Sequence, residues 1–162
     1  MKRMFVSVVI VGSMLIAASS GLAQQLNSQT QEALRAAIND EYHAKALYQK
    51  TIDSFGATRP FVNLVNAEKQ HIERLRPLFT KYGVAIPSDN AAGQLPALTT
   101  RQEACQIGVT AEKDNAAMYA ELLTFVREAD IRLVFQQLQK VSLNNHLPAL
   151  ERCASGQGGG RK

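Results

Sequence analysis

Residues 66–75 read NAEKQHIERL, and the fold turns on which way Glu68 and His71 point. Three residues apart, they share a face if the segment is helical. The surrounding apolar residues Phe61, Leu64, Val65, Ile72, Leu75, Leu78 and Phe79 recur at helical spacing, and Glu68 and His71 continue that stripe. Lys69, Gln70, Glu73, Arg74 and Arg76 take the opposite side. The Glu-x-x-His pair therefore points inward, where a lone charge is costly.

The same pattern recurs along the chain. Upstream, Leu34, Ala37, Ile38, Ala44 and Tyr48 define a stripe with Glu41 in its middle. His43 falls on a mixed face, where an exposed or hydrogen-bonded histidine is the commoner reading. Downstream, Cys105, Gly108, Val109, Ala116, Tyr119, Leu122, Leu123 and Val126 form a stripe that carries Glu112, with Asn115 beside it. A last stripe includes Phe135, Leu138, Leu143, Leu150 and Cys153, with His146 among them. One acid on an apolar stripe is ordinarily a boundary residue or an ion pair. Three mid-helix carboxylates on separate helices, with two inward histidines, need one shared cause. A dication is the economical one, because it neutralises carboxylates that would otherwise repel or take up protons.

The boundaries give four helices. Ser28 and Gln31 read as a capping box opening the first, which runs to about Asp53. Pro60 suits the first position of the second, which stops at Gly83. Residues 84–99 contain Pro87, Gly93 and Pro96 and read as a linker. Thr100 and Glu103 form another capping box, opening a helix to about Arg127; Asp130 caps the fourth, which reaches about Cys153 before Gly156. Pro77 and Pro148 fall inside helices and predict kinks. No strand alternation is present. The class is all-α: a four-helix bundle of two antiparallel hairpins joined by a long crossover linker. The linker can stretch past about 50 Å at roughly 3.3 Å per residue, enough to run the bundle's length.

Height along the bundle tests this layout. With the second hairpin's turn near residue 129, Glu112 and His146 each lie 17 residues from it and should be level. Cys105 and Cys153 each lie 24 residues from it. In the first hairpin, Glu41 and His71 are each 15 residues from Gly56.

The ends read differently. Lys2 and Arg3 precede an apolar run from Met4 to about Ala18 and then Gly21-Leu22-Ala23, the pattern of a secretory signal at 1–23. The run is short for a membrane span, so no stable anchor is expected after cleavage. Cleavage would lower the net charge from +4 to +2 by removing Lys2 and Arg3. No basic cluster with interleaved aromatics remains, which argues against nucleic acid. The bundle is expected over 24–154 and a disordered Gly-rich tail over 155–162. Export to the periplasm or beyond favours a Cys105–Cys153 disulfide; the alternative is two free buried thiols. No CxxC motif is present.

An inward Glu, then Glu-x-x-His, then another Glu and another His resembles the ferritin-like superfamily. The stretches DEYHAKALY, FGATRPFVNLVNAEKQHI, KYGVAIP and NNHLPALERC resemble more narrowly one branch, domain of unknown function 2202, over about residues 30–153. The resemblance implies a mid-height metal site with Glu41, Glu68, His71, Glu112 and His146 as ligands, and Glu68 (with Glu112 a further candidate) bridging two metals. A full ferritin-like site repeats Glu-x-x-His on the fourth helix, but Leu143 stands three before His146 here. One metal, two unequal metals, or a second completed by water all fit.

Iron or manganese suits such mixed carboxylate and imidazole ligation, and zinc fits as well. Open positions would let dioxygen or peroxide bind, with Tyr42, Tyr48 and Tyr119 as candidates for hydrogen bonding behind the ligands or for electron transfer. The chain carries no rubredoxin-like cysteine set, so redox turnover would need an outside reductant. The other readings are metal storage without turnover, and a metal-free structural bundle with a buried polar network. A homo-oligomer is left open.

Overall fold

The structure is a computed structural model that describes residues 25–157. The leader read at 1–23 and residues 158–162 of the tail lie outside the described residues. Among the described residues, five α-helices build four rods: α1 Ser28–Phe55, α2 Phe61–Tyr82, α3 Arg101–Phe125, α4 Ala129–Val141 and α5 Leu147–Ala154. A π-helical turn, Ser142–His146, joins α4 to α5, so these two form one interrupted rod. Among the described residues there is no strand, and no helix is long and apolar enough to cross a membrane. The fold is the expected all-α four-helix bundle of two antiparallel hairpins.

Local chemistry sets the boundaries, with small departures from the sequence reading. Asn27, not Ser28, caps α1: its side chain accepts from the Thr30 amide at 2.8 Å. Gln31 reaches back instead to the Leu26 carbonyl, at 3.0 Å. Pro60 precedes α2 by one residue, and Gly83 ends it in the left-handed conformation at φ 64°. α2 runs on through Pro77 as one helix. Thr100 caps α3 as read, accepting from the Glu103 amide at 3.1 Å. Glu128, not Asp130, stands at the N-cap of α4. Asp130 is engaged across the fold, accepting from the Tyr82 hydroxyl at 2.7 Å and from Lys81 at 2.6 Å.

The core lies in two apolar blocks. One holds Leu34, Ile38, Leu75, Phe79, Ile131 and Phe135, near the end where α1 begins and α2 stops. The other holds Tyr48, Phe61, Leu64, Cys105, Leu150 and Cys153, near the opposite end. The linker spans both: Val84 and Ala91 are buried in the first block, while Leu98 packs on the second. This is the crossover expected of residues 84–99, with one short 3₁₀ turn at Ala91–Gln94. Cys105 and Cys153 are joined as a disulfide between α3 and α5, with Cα atoms 5.8 Å apart.

Candidate metal centre

Buried polar residues occupy the level between the two apolar blocks. Glu41 on α1, Glu68 and His71 on α2, Glu112 on α3 and His146 at the end of the π turn are each at most 4% exposed. His71 Nδ1 lies 3.0 Å from Glu41 Oε2 and 2.8 Å from Glu68 Oε2. His146 Nδ1 lies 3.1 Å from Glu68 Oε1 and 3.3 Å from Glu112 Oε1. The two imidazoles stack with centroids 5.3 Å apart. The pairs that hairpin arithmetic puts level are thus in contact.

Two groups in this layer could hold a metal ion: Glu41, Glu68 and His71, and Glu68, Glu112 and His146. In each, one atom per residue lies within 4.8 Å of the others. Glu68 belongs to both. Behind the carboxylates stand two tyrosines. The Tyr119 hydroxyl donates to Glu41 Oε1 at 2.7 Å, and the Tyr48 hydroxyl donates to Glu112 Oε1 at 2.6 Å. Such contacts fix ligand orientation and sharpen affinity. Tyr42 sits elsewhere, with the Lys45 ammonium 5.3 Å from its ring centroid. His43 is exposed on α1, apart from the cluster.

The π turn changes the reading of the fourth rod. The Leu147 amide bonds to the Ser142 carbonyl, five residues back. Pro148, with no N–H, cannot serve the Asn144 carbonyl one turn behind it. The wider turn rotates Leu143 outward to 44% exposure and brings Ser142 inward to 3%. Leu143 is therefore not on the inward stripe. The place facing the centre before His146 belongs to Ser142, whose hydroxyl donates to Asn115 Oδ1 at 2.7 Å. π turns of this kind are frequent at functional sites.

Electrostatics follow from crowding these groups away from water. Burial pushes the Glu41 carboxyl up to about 8 against the pull of His71. Burial alone would lower both histidines, but their carboxylate neighbours dominate: Glu41 and Glu68 hold His71 at about 9, and Glu112 and Glu68 hold His146 at about 10. Burial would raise Glu68, yet His146 and His71 bring it down to about 2. Burial also drives the Tyr48 and Tyr119 hydroxyls well above their ordinary value, with the adjoining carboxylates adding to it.

The profile of the family described as Uncharacterized protein domain (DUF2202) matches residues 31–161. The chain belongs to that family. No curated protein matches it. Two crystal structures resemble this DUF2202 chain in fold. A hypothetical protein, MJ0754, from Methanococcus jannaschii shares 20% identity at a TM-score of 0.73, covering 86% of this chain and 87% of the other. A conserved hypothetical protein, rv2844, from Mycobacterium tuberculosis shares 17% identity at a TM-score of 0.67, covering 82% of this chain and 99% of that one.

Proposed function

We propose that this protein is an exported, ferritin-like metal-binding bundle. Glu41, Glu68 and His71 hold one dication, and Glu68, Glu112 and His146 offer a second position, with Glu68 bridging. Iron or manganese suits the ligands best. The observation that carries this reading is a mismatch. Glu68 Oε1 and His146 Nδ1 are buried 3.1 Å apart, an ion-pair contact too poorly aligned for a hydrogen bond, and neither atom has another hydrogen-bond partner. Buried polar atoms are normally satisfied. Two such atoms side by side without a hydrogen bond suit a cation between them.

The chain's own residues define what the centre does. Glu68 couples the two positions, Tyr119 and Tyr48 hold Glu41 and Glu112 in place, and the apolar blocks above and below exclude water. A bound iron or manganese would supply redox chemistry toward dioxygen or peroxide. Ser142 in place of a fourth-rod carboxylate leaves the second position under-supplied, which suits storage as well as turnover. Stoichiometric metal with no effect on peroxide or on the optical spectrum would mark storage. The disulfide supports export, since such bonds persist in oxidising compartments.

A second reading has one observation in its favour. With Glu41 holding its proton up to about 8 and both histidines charged, the cluster balances much of its charge without a metal. Calorimetric titration of metal-free protein with Mn²⁺ separates the two. Imidazole and carboxyl groups must both be deprotonated to ligate, so filling both positions at pH 7 should release about three protons, from His71, His146 and Glu41, seen as a dependence of the heat on buffer ionisation enthalpy. Because the folded values of His71 and His146 are raised, affinity should climb as pH rises from about 6 toward 9. Absence of any saturable heat favours the metal-free network.

A further inference from the structure

A cavity of about 230 Å³ opens beside the centre, between α1, α3 and the linker. Exposed His43, Pro96 and Asp114 stand at its outer side. Buried Glu68, Glu112 and Ser142 line its inner end. Asp40, half-buried, lines it too, and one of its oxygens accepts from Asn115 Nδ2 at 2.6 Å. Asn115 in turn accepts from Ser142, so this wall is fixed from α1 through α3 to the π turn. Of the five candidate ligands, Glu68 and Glu112 line it, whereas Glu41, His71 and His146 do not.

A set of acidic residues makes no site by itself. Here the carboxylate at the inner end, Glu68, is 1% exposed, and its Oε1 has no hydrogen-bond partner. A polar atom buried at the end of a solvent-connected cavity calls for a ligand arriving through it. The ligand's charge follows from the outer walls, where Asp40 and Asp114 stand against the single His43, while Glu68 and Glu112 at the inner end are paired with His71 and His146. A cleft lined by one sign of charge focuses the field and raises the capture rate of counter-ions. Its size fits as well, since six waters around a dication fill roughly 180 Å³ at about 30 Å³ each.

We infer that this cavity is the loading path of the dication, that Asp40 receives the hydrated ion on its way in, and that the Glu68–Glu112–His146 position fills before the Glu41–Glu68–His71 position. The inference rests on the metal-binding reading. It adds a residue, Asp40, that belongs to neither converging group and so governs how fast metal arrives rather than how much is held. The inner position loads second because the ion must pass Glu68, the carboxylate common to both.

Stopped-flow mixing of metal-free mature protein with Co²⁺, followed by visible absorption, tests this. Asp40→Asn should slow loading about 10-fold or more and flatten its dependence on ionic strength, while the final stoichiometry stays at the wild-type value. Ala111→Leu, which narrows the cavity without changing charge, should slow loading too. Asp130→Asn, placed on the α2–α4 contact, should load as the wild type does. Loading at the wild-type rate by Asp40→Asn or by Ala111→Leu overturns the path, with metal binding itself left standing. Loss of stoichiometry in Asp40→Asn also overturns it, because Asp40 would then be a ligand. A wild type that takes up no Co²⁺ overturns the metal reading beneath it.

Discussion

Glu68→Ala is expected to remove both metal positions at once. Glu68 Oε2 faces His71 at 2.8 Å and Oε1 faces His146 at 3.1 Å, and no other residue belongs to both converging groups. Loss of a partner that merely orients a ligand costs about 10–100-fold in affinity, so loss of the shared ligand should cost more. Titration with Mn²⁺ should show no saturable binding at micromolar protein. Glu41→Ala and Glu112→Ala should each leave one position in use. The metal-free variant should also be less stable, by about 3–5 kcal/mol, because two buried imidazoles lose a common acceptor. Urea unfolding with and without metal separates the effects: metal should stabilise the wild type and leave Glu68→Ala unchanged. Equal stabilisation of both proteins would contradict the assignment of Glu68.

The second large effect is structural. Cys105→Ala with Cys153→Ala opens a crosslink that spans 48 residues of sequence. By the chain-entropy estimate, a loop of that length contributes about 4 kcal/mol. The midpoint of thermal unfolding should fall by on the order of 10 °C. Both cysteines sit in the apolar block at the bundle end away from the α3–α4 turn, and the link ties α5 to α3. The same contact keeps Glu112 and His146 in register two turns away, so metal affinity should weaken as well. Alkylation of the unfolded wild type should add no label without reduction and two after reduction. Two labels without reduction, or a variant as stable as the wild type, would contradict this.

Much of the centre was legible because its residues obey one period. Glu41, Glu68, His71, Glu112 and His146 each lie on an apolar stripe, and hairpin arithmetic puts Glu41 level with His71 and Glu112 level with His146. The reading failed where the period changed. The π turn adds one residue to the fourth rod, so Leu143 swings outward and Ser142 inward. Uniform helical spacing carries no trace of that shift. Pro148 was its one signal, read as a kink rather than as a change of phase. The caps at Asn27 and Glu128 were missed by one or two residues, since neighbouring polar side chains compete for the same amides. Asp130 looked like a cap because its partners, Lys81 and Tyr82, come from a distant helix. Asp40, next to Glu41, falls off or at the edge of the apolar stripe of α1. It shares a cavity with Leu95 and Pro96 of the linker and accepts from Asn115 on α3, and no local pattern on α1 reports either.

Anomalous diffraction from crystals of the mature protein grown with Mn²⁺ addresses the central claim most directly. Peaks are expected in the polar layer, within about 2.5 Å of Glu68 oxygens and of His71 or His146 Nδ1. A map with no peak there, while the five side chains keep their present contacts, would contradict the account and leave a proton-held network in its place.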